Sequence, residues 1–412
     1  MQFQQHTLDN GLEIVAECNG ESYSMATGFF VKTGSRDETD EVSGVSHFLE
    51  HMTFKGTPTR SAADVNRELD EIGSHSNAYT SEEQTCYFAM VLPEYQDRTV
   101  ELLSDIMRPS LREEDFDTEK KVIIEEIYKY DDQPPFGGHE KCMAAHFGAH
   151  PLARSILGTV QSVGQLTPEA MRAYFERRYS PSNIILAAAG QVDFDTLVTL
   201  VQKHCGDWQT FDAPRRTPRA SPHSGFQVIE KADTTQQYAV QIANGPAAED
   251  DDRYAARILA TVLGDDSGSR LYWELIDTGR AEYVGMGSHE FQGTGLVMTY
   301  LCCAPDQTAD NLQRILDIQR QAEQTGITNA ELAQAKSKIC SHVVLQSERP
   351  GNRLFAVGNA WIQRREHRTV KQVVDSYQQV TCADVADVLR KYPLSVNTTI
   401  ATGPLTELAA PQ

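Results

Sequence analysis

Two histidines and a glutamate fall within five residues at His47-Phe48-Leu49-Glu50-His51, a spacing that suits a metal ion used to activate water. On a helix, positions 47 and 51 lie one turn apart on the same face, with Cβ atoms roughly 5–6 Å apart, so both rings reach one cation. Glu50 is offset by one position, which suits it to take a proton from a polarised water rather than to ligate. The order inverts His-Glu-x-x-His. Apolar Val45, Phe48, Leu49 and Met52 give this stretch a buried face, and Ser43 or Gly44 offers a helix start. Phe54-Lys55-Gly56-Thr57-Pro58 supplies the stop.

Two histidines leave such a site incomplete, because a catalytic zinc takes three protein ligands and keeps one position open. The richest source of a third is Glu119–Tyr130, an amphipathic helical run with several carboxylates. Glu119 and Glu126 are two turns apart on one face, so spacing pairs them, whereas Glu125 points about 100° away and reads as a solvated carboxylate.

Through His47-x-x-Glu50-His51, Glu119-x6-Glu126 and the gap between them, the chain resembles the M16 metallopeptidases, the pitrilysin and mitochondrial processing peptidase family, in a short two-domain bacterial form. The resemblance implies a zinc ion (Zn2+) held by His47, His51 and Glu126, with Glu50 as general base. Glu119 becomes an acid that orients a ligand or the site water. Leu8-Asp9-Asn10-Gly11-Leu12 is similar to the family's opening hairpin, with Asn-Gly as the turn signal. Ser76–Ser81 and Thr85–Phe88 are similar to a strand pair that lends its edge to an extended peptide substrate, which makes Asn77, Ala78 and Tyr79 the expected substrate-binding residues. His150-Pro151-Leu152, Ser155–Thr159 and Tyr179–Asn183 carry the likeness through nearly all of residues 1–205.

The later half is similar in outline only. Family members commonly place an arginine seven residues before a tyrosine, and both hold the substrate carbonyl. Here Gly268–Leu275 and Tyr283 match that segment, with Tyr283 as the expected catalytic donor, but the arginine position is Ile276. Isoleucine cannot stabilise a developing oxyanion. Arg270 and Arg280 are nearby alternatives, each better read as a structural salt bridge. Three readings follow: a peptidase working alone or as a homodimer, the zinc-bearing subunit of a heterodimer whose related chain supplies the missing arginine, or a scaffold subunit with the peptidase fold and no activity. The intact His47, Glu50, His51, Glu126 set argues against the last.

A chain of 412 residues is too long for one ordinary core, so two domains are expected to position these residues. Three prolines and small or basic residues at Asp212–Pro222 mark the boundary, read as a solvated connector. The expected division is a zinc-bearing domain at 1–211, a linker at 212–225 and a homologous domain without the metal motif at 226–412. Thr167 to Gly190 and Thr381 to Gly403 share a helix-then-strand pattern at nearly equal spacing, the mark of an internal duplication. Strands cluster rather than alternate strictly with helices, so the fold class is α+β. The resemblance implies a mostly antiparallel sheet with helices packed on one face in each domain, the two facing each other across a chamber.

The net charge of −21 attracts basic peptides, more so with Glu82-Glu83 after the substrate strand, and it excludes nucleic acid as a partner. Eight cysteines without metal-ribbon or Cys-x-x-Cys spacing read as reduced thiols. No charged-then-apolar leader follows Met1 and no apolar stretch approaches a membrane span, so a cytoplasmic protein without membrane association is expected.

Overall fold

A computed structural model describes residues 1–412. The strands are β1 (Gln2–Thr7), β2 (Glu13–Cys18), β3 (Met25–Val31), β4 (His75–Thr80), β5 (Thr85–Val91) and β6 (Ile184–Gly190), then β7 (Gly225–Glu230), β8 (Gln237–Gly245), β9 (Tyr283–Phe291), β10 (Thr294–Cys303) and β11 (Asn397–Gly403). They form two sheets, ordered β1-β2-β6-β3-β5-β4 and β7-β11-β8-β10-β9. Each sheet has one parallel pair, β2 with β6 and β7 with β11, and is otherwise antiparallel. Without β1, the two have the same strand order and the same pattern of pairing. A duplicated α+β domain accounts for this, as the repeat in the sequence predicts.

The first compact unit comprises Met1–Tyr128, Arg154–Arg216 and Leu345–Arg368. Along its strands alternate residues go to opposite faces. Ile14, Met25, Phe29, Tyr87 and Leu186 pack against helices of the first half, while Val15, Ala26, Phe30, Phe88 and Ala187 pack against Leu354, Val357 and Ile362. The latter belong to the helix Pro350–Arg364, which comes from the second half of the sequence. Gly358 lets this helix approach closely, since a Cβ there would meet the Phe30 ring at 2.3 Å. Arg353 and His367 close on buried Glu17 of β2 at 2.6 and 2.7 Å, and Trp361 donates to Glu13 at 2.6 Å.

The second unit comprises Lys129–Ala153, Thr217–Val344 and Thr369–Gln412. One face of its sheet meets helices of the second half through Ala243, Val297, Leu301 and Ala401. The other face, Val240, Ile242, Leu296 and Ile400, packs against Cys142, Met143 and Phe147 of the helix Gly138–Phe147, which comes from the first half. Each sheet therefore carries several helices on one face and a single helix from the opposite half of the chain on the other. That second layer goes beyond the one-faced packing expected from sequence.

Several local expectations change. Residues 212–222 have no regular structure, but the Arg215 side chain, 5% exposed, is sequestered rather than solvated: its Nε donates to Asp37 at 2.9 Å, and Arg178 reaches the same carboxylate at 3.0 Å. Glu83 is likewise sequestered, paired with buried Arg36, so it is not a surface charge for attracting peptides. The β1–β2 connection is longer than a two-residue Asn-Gly turn: the Leu8 N–H donates to the Leu12 carbonyl at 2.9 Å and the Gly11 N–H to the Leu8 carbonyl at 2.8 Å, while the Asn10 side-chain amide donates to the Cys205 carbonyl at 2.7 Å. All eight cysteines are free thiols. No helix is long and apolar enough to cross a membrane.

Candidate metal centre

His47, Glu50 and His51 lie on the helix Val45–Thr53, which buries Val45, Phe48, Leu49 and Met52. The helix starts at Gly44, whose φ of 90° favours glycine and where a Cβ would meet the Leu157 carbonyl oxygen at 2.6 Å. No side chain of its own caps this start. Instead Glu38 accepts from the Gly44 and Ser46 backbone N–H groups at 2.7 and 2.8 Å, and the Tyr174 hydroxyl bonds Ser46 Oγ at 2.7 Å. Glu119 and Glu126 lie on the helix Glu113–Asp132. Phe116 of that helix stacks on Phe48 at 4.5 Å, which fixes the two helices in register.

The structure brings His47, His51 and Glu126 together, one ligand atom from each lying within 4.8 Å of the others. Glu126 Oε2 stands 3.7 Å from His47 Nε2 and 3.6 Å from His51 Nε2. Two donors bound to one zinc at about 2.0–2.1 Å and a tetrahedral angle stand about 3.4 Å apart, so this donor set fits the ion. Glu125 is exposed, as its helical phase predicts.

Glu119 stands at the His51 ring nitrogen that does not face Glu126. Its Oε1 is 2.8 Å from His51 Nδ1, and its Oε2 is 2.5 Å from Lys55 Nζ. A carboxylate on the far ring nitrogen fixes both tautomer and ring orientation and leaves Nε2 as the donor atom. Burial disfavours the charged form of Glu119, yet the bonds from His51 and Lys55 outweigh it and hold the carboxyl below its ordinary range. His47 has no protein partner at buried Nδ1. Burial, with His51 beside it, pushes its pKa down to about 3, so the ring is a neutral donor. For Glu50 burial dominates and raises the carboxyl above its ordinary value, against a hydrogen bond from Thr80 at 2.7 Å. A carboxylate raised in this way is a stronger base than a solvated one.

The expected substrate strand is β4, at the open edge of the first sheet. Ala78 packs with the core on the metal-helix side, whereas Tyr79 packs with the Pro350–Arg364 helix, its ring 6.1 Å from Phe355 and its hydroxyl accepting from Gln84 at 2.8 Å. Asn77 is exposed, and its Oδ1 accepts from the Ala78 backbone N–H at 2.8 Å. Tyr283 lies in the second unit, at the start of β9, exposed and tilted against Tyr300 at 5.5 Å. Ile276 packs in an apolar cluster with Leu271 and Leu275. Arg270 bonds Glu331 at 2.7 Å and Arg280 bonds Asp310 at 3.1 Å, the structural salt bridges expected of them.

Sequence reading missed Glu38, Lys55 and Thr80. In the sequence Lys55 stands out only as part of a helix stop. Thr80 carried the one usable signal, since it shares the face of Ala78 by strand alternation.

Residues 13–160 match the family profile described as insulinase (peptidase family M16), and residues 165–339 match the profile of the M16 inactive domain. An uncharacterised zinc protease of Mycobacterium tuberculosis is 34% identical over 391 residues, covering 93% of this chain and 89% of that protein. An uncharacterised zinc protease of Bacillus subtilis is 29% identical over 94% of this chain and 95% of its own length. A probable mitochondrial-processing peptidase β subunit of Arabidopsis thaliana is 29% identical over 90% of this chain and 75% of its own. The crystal structure of a protease from Helicobacter pylori superposes with a TM-score of 0.91 at 23% identity, covering 98% of this chain and 99% of that one. With a 34% identical relative matched along nearly its whole length, this chain belongs to the M16 peptidase family.

Proposed function

We propose that the chain is a zinc-dependent endopeptidase that cleaves unfolded peptides held as an added strand on β4. The observation that carries this reading is the convergence of His47, His51 and Glu126 next to a partly buried glutamate that is not among them. His47, His51 and Glu126 would hold the ion, which when bound supplies Lewis acidity to polarise a carbonyl and acidify water. Glu119 holds His51 through Nδ1. Glu50 takes the proton from the attacking water and returns it to the leaving amine. The open edge of β4 offers backbone N–H and C=O groups to an extended peptide, with Asn77, Ala78 and Tyr79 along it, a mode that reads conformation more than sequence.

Ile276 favours a second version of this reading. With isoleucine in an apolar cluster and Arg270 and Arg280 committed to carboxylates, the chain has no arginine for the carbonyl at that position, and a related chain would supply it. Tyr283 would then be the remaining donor of its own segment. The names of the relatives as zinc proteases and the resemblance to a processing-peptidase subunit support both versions.

The test is metal analysis and hydrolysis of a mixed pool of unfolded peptides by the purified chain. One equivalent of zinc and cleavage that disappears in Glu50→Gln, with metal retained, is the expected result for a self-sufficient enzyme. Metal without cleavage, restored by a related chain, identifies the heterodimer. A wild type that binds no metal and is indifferent to His47→Ala sinks both and leaves a scaffold.

A further inference from the structure

The Glu50 carboxylate is held from outside its own helix. Thr80 Oγ1 donates to Glu50 Oε2 at 2.7 Å and stands 3.4 Å from Thr85 Oγ1. Thr85 commits its own proton to the Thr33 carbonyl at 3.0 Å, so the single Thr80 proton goes to the nearer, charged acceptor. Thr80 ends β4 opposite Thr85, and beyond it Ser81 N–H donates to Gln84 at 2.8 Å, which closes the strand end. The hydroxyl is therefore carried on a fixed piece of backbone.

We propose that Thr80 is a positioning residue: it pins Glu50 Oε2 and leaves Oε1 as the oxygen for proton transfer. Because Thr80 lies on the strand whose edge takes the peptide, one element sets the register of both base and substrate. This rests on the peptidase reading of the site. A glutamate side chain has three rotatable bonds, and misplacing a reacting group by about 1 Å costs on the order of a hundredfold in rate.

The variants are Thr80→Val, which exchanges the hydroxyl for a methyl, Thr80→Ser, which keeps the hydroxyl, and Thr80→Ala in case the added methyl crowds the carboxylate. One readout needs no turnover: crystal structures of the metal-free chains. Glu50 is expected in one conformer in wild type and Thr80→Ser, and rotated or spread over several in Thr80→Val and Thr80→Ala. The second is kinetics of the zinc-loaded chains. The valine variant is expected to lose roughly 10- to 100-fold in kcat with KM within about twofold and zinc content unchanged, and serine to recover most of it. An unchanged Glu50 conformer in Thr80→Val, or a loss confined to KM, overturns the proposal. If no chain, wild type included, cleaves peptide, the peptidase reading fails, and the crystallographic comparison alone decides whether Thr80 holds Glu50.

Discussion

At the scale of single residues the site is built from a neutral imidazole and one tied to a carboxylate. His51 shows the balance. Burial opposes its charge, but the bond to Glu119 and the nearby Glu50 and Glu126 outweigh burial and raise its pKa. Lys55 on the far oxygen of Glu119 shares that carboxylate and keeps it from turning away. Removing the orienting acid in Glu119→Gln should therefore weaken metal binding by roughly 10- to 100-fold, in the range seen when partners of ligating histidines are lost. Lys55→Met, one contact further out, should weaken it less. Competition with a chromogenic chelator ranks the three chains, and equal affinities would remove Glu119 from the metal set. Helical phase pairs Glu119 with Glu126 but does not say which of the two ligates, a choice that only the family resemblance makes, whereas His47, Glu50 and His51 were legible in the sequence because one helical turn contains them. Glu38 and Thr80 were not, since each acts across space on a residue in another element.

Among the elements, strands and helices were readable because both faces of each sheet are buried and the helices are amphipathic. What the pattern does not encode is the destination of a helix. The apolar stripe of Pro350–Arg364 would suit any apolar sheet face, yet it lies on the first sheet, held by a buried ion pair. A buried pair is costly to split, since removing one partner leaves an uncompensated charge. Arg353→Met should lower unfolding free energy by about 3–5 kcal/mol, and the Glu17→Gln, Arg353→Met double variant should recover part of that. Chemical denaturation of the wild type, Glu17→Gln, Arg353→Met and the double variant measures the coupling. Additive losses would show that the pair does not anchor the helix.

For the whole molecule, buried histidine ties stability to pH. His146, 1% exposed on the Gly138–Phe147 helix with Nδ1 3.1 Å from Thr398 Oγ1, has its pKa pushed down to about 4, burial being the main cause. The unfolded chain binds this proton near pH 6.5 and the folded one only near 4. Its contribution is thus complete above about 6.5 and is lost as pH falls through about 4. Between pH 7 and 5 the urea midpoint of the wild type should fall more than that of His146→Gln, which has no proton to gain. Parallel midpoints would assign the acid sensitivity to other groups. Every neutral-pH measurement on the site should be free of this effect.

The exchange of helices between the two halves bears on how the protein is made. At synthesis rates of about 5–20 residues per second, the first sheet has all six strands many seconds before the ribosome delivers Pro350–Arg364. Until then Phe30, Phe88 and Ala187 face water, an apolar surface of the kind that recruits chaperones or pairs with another nascent chain. A truncated gene encoding only the zinc-bearing half would keep every candidate ligand and still lack the lid of its own core.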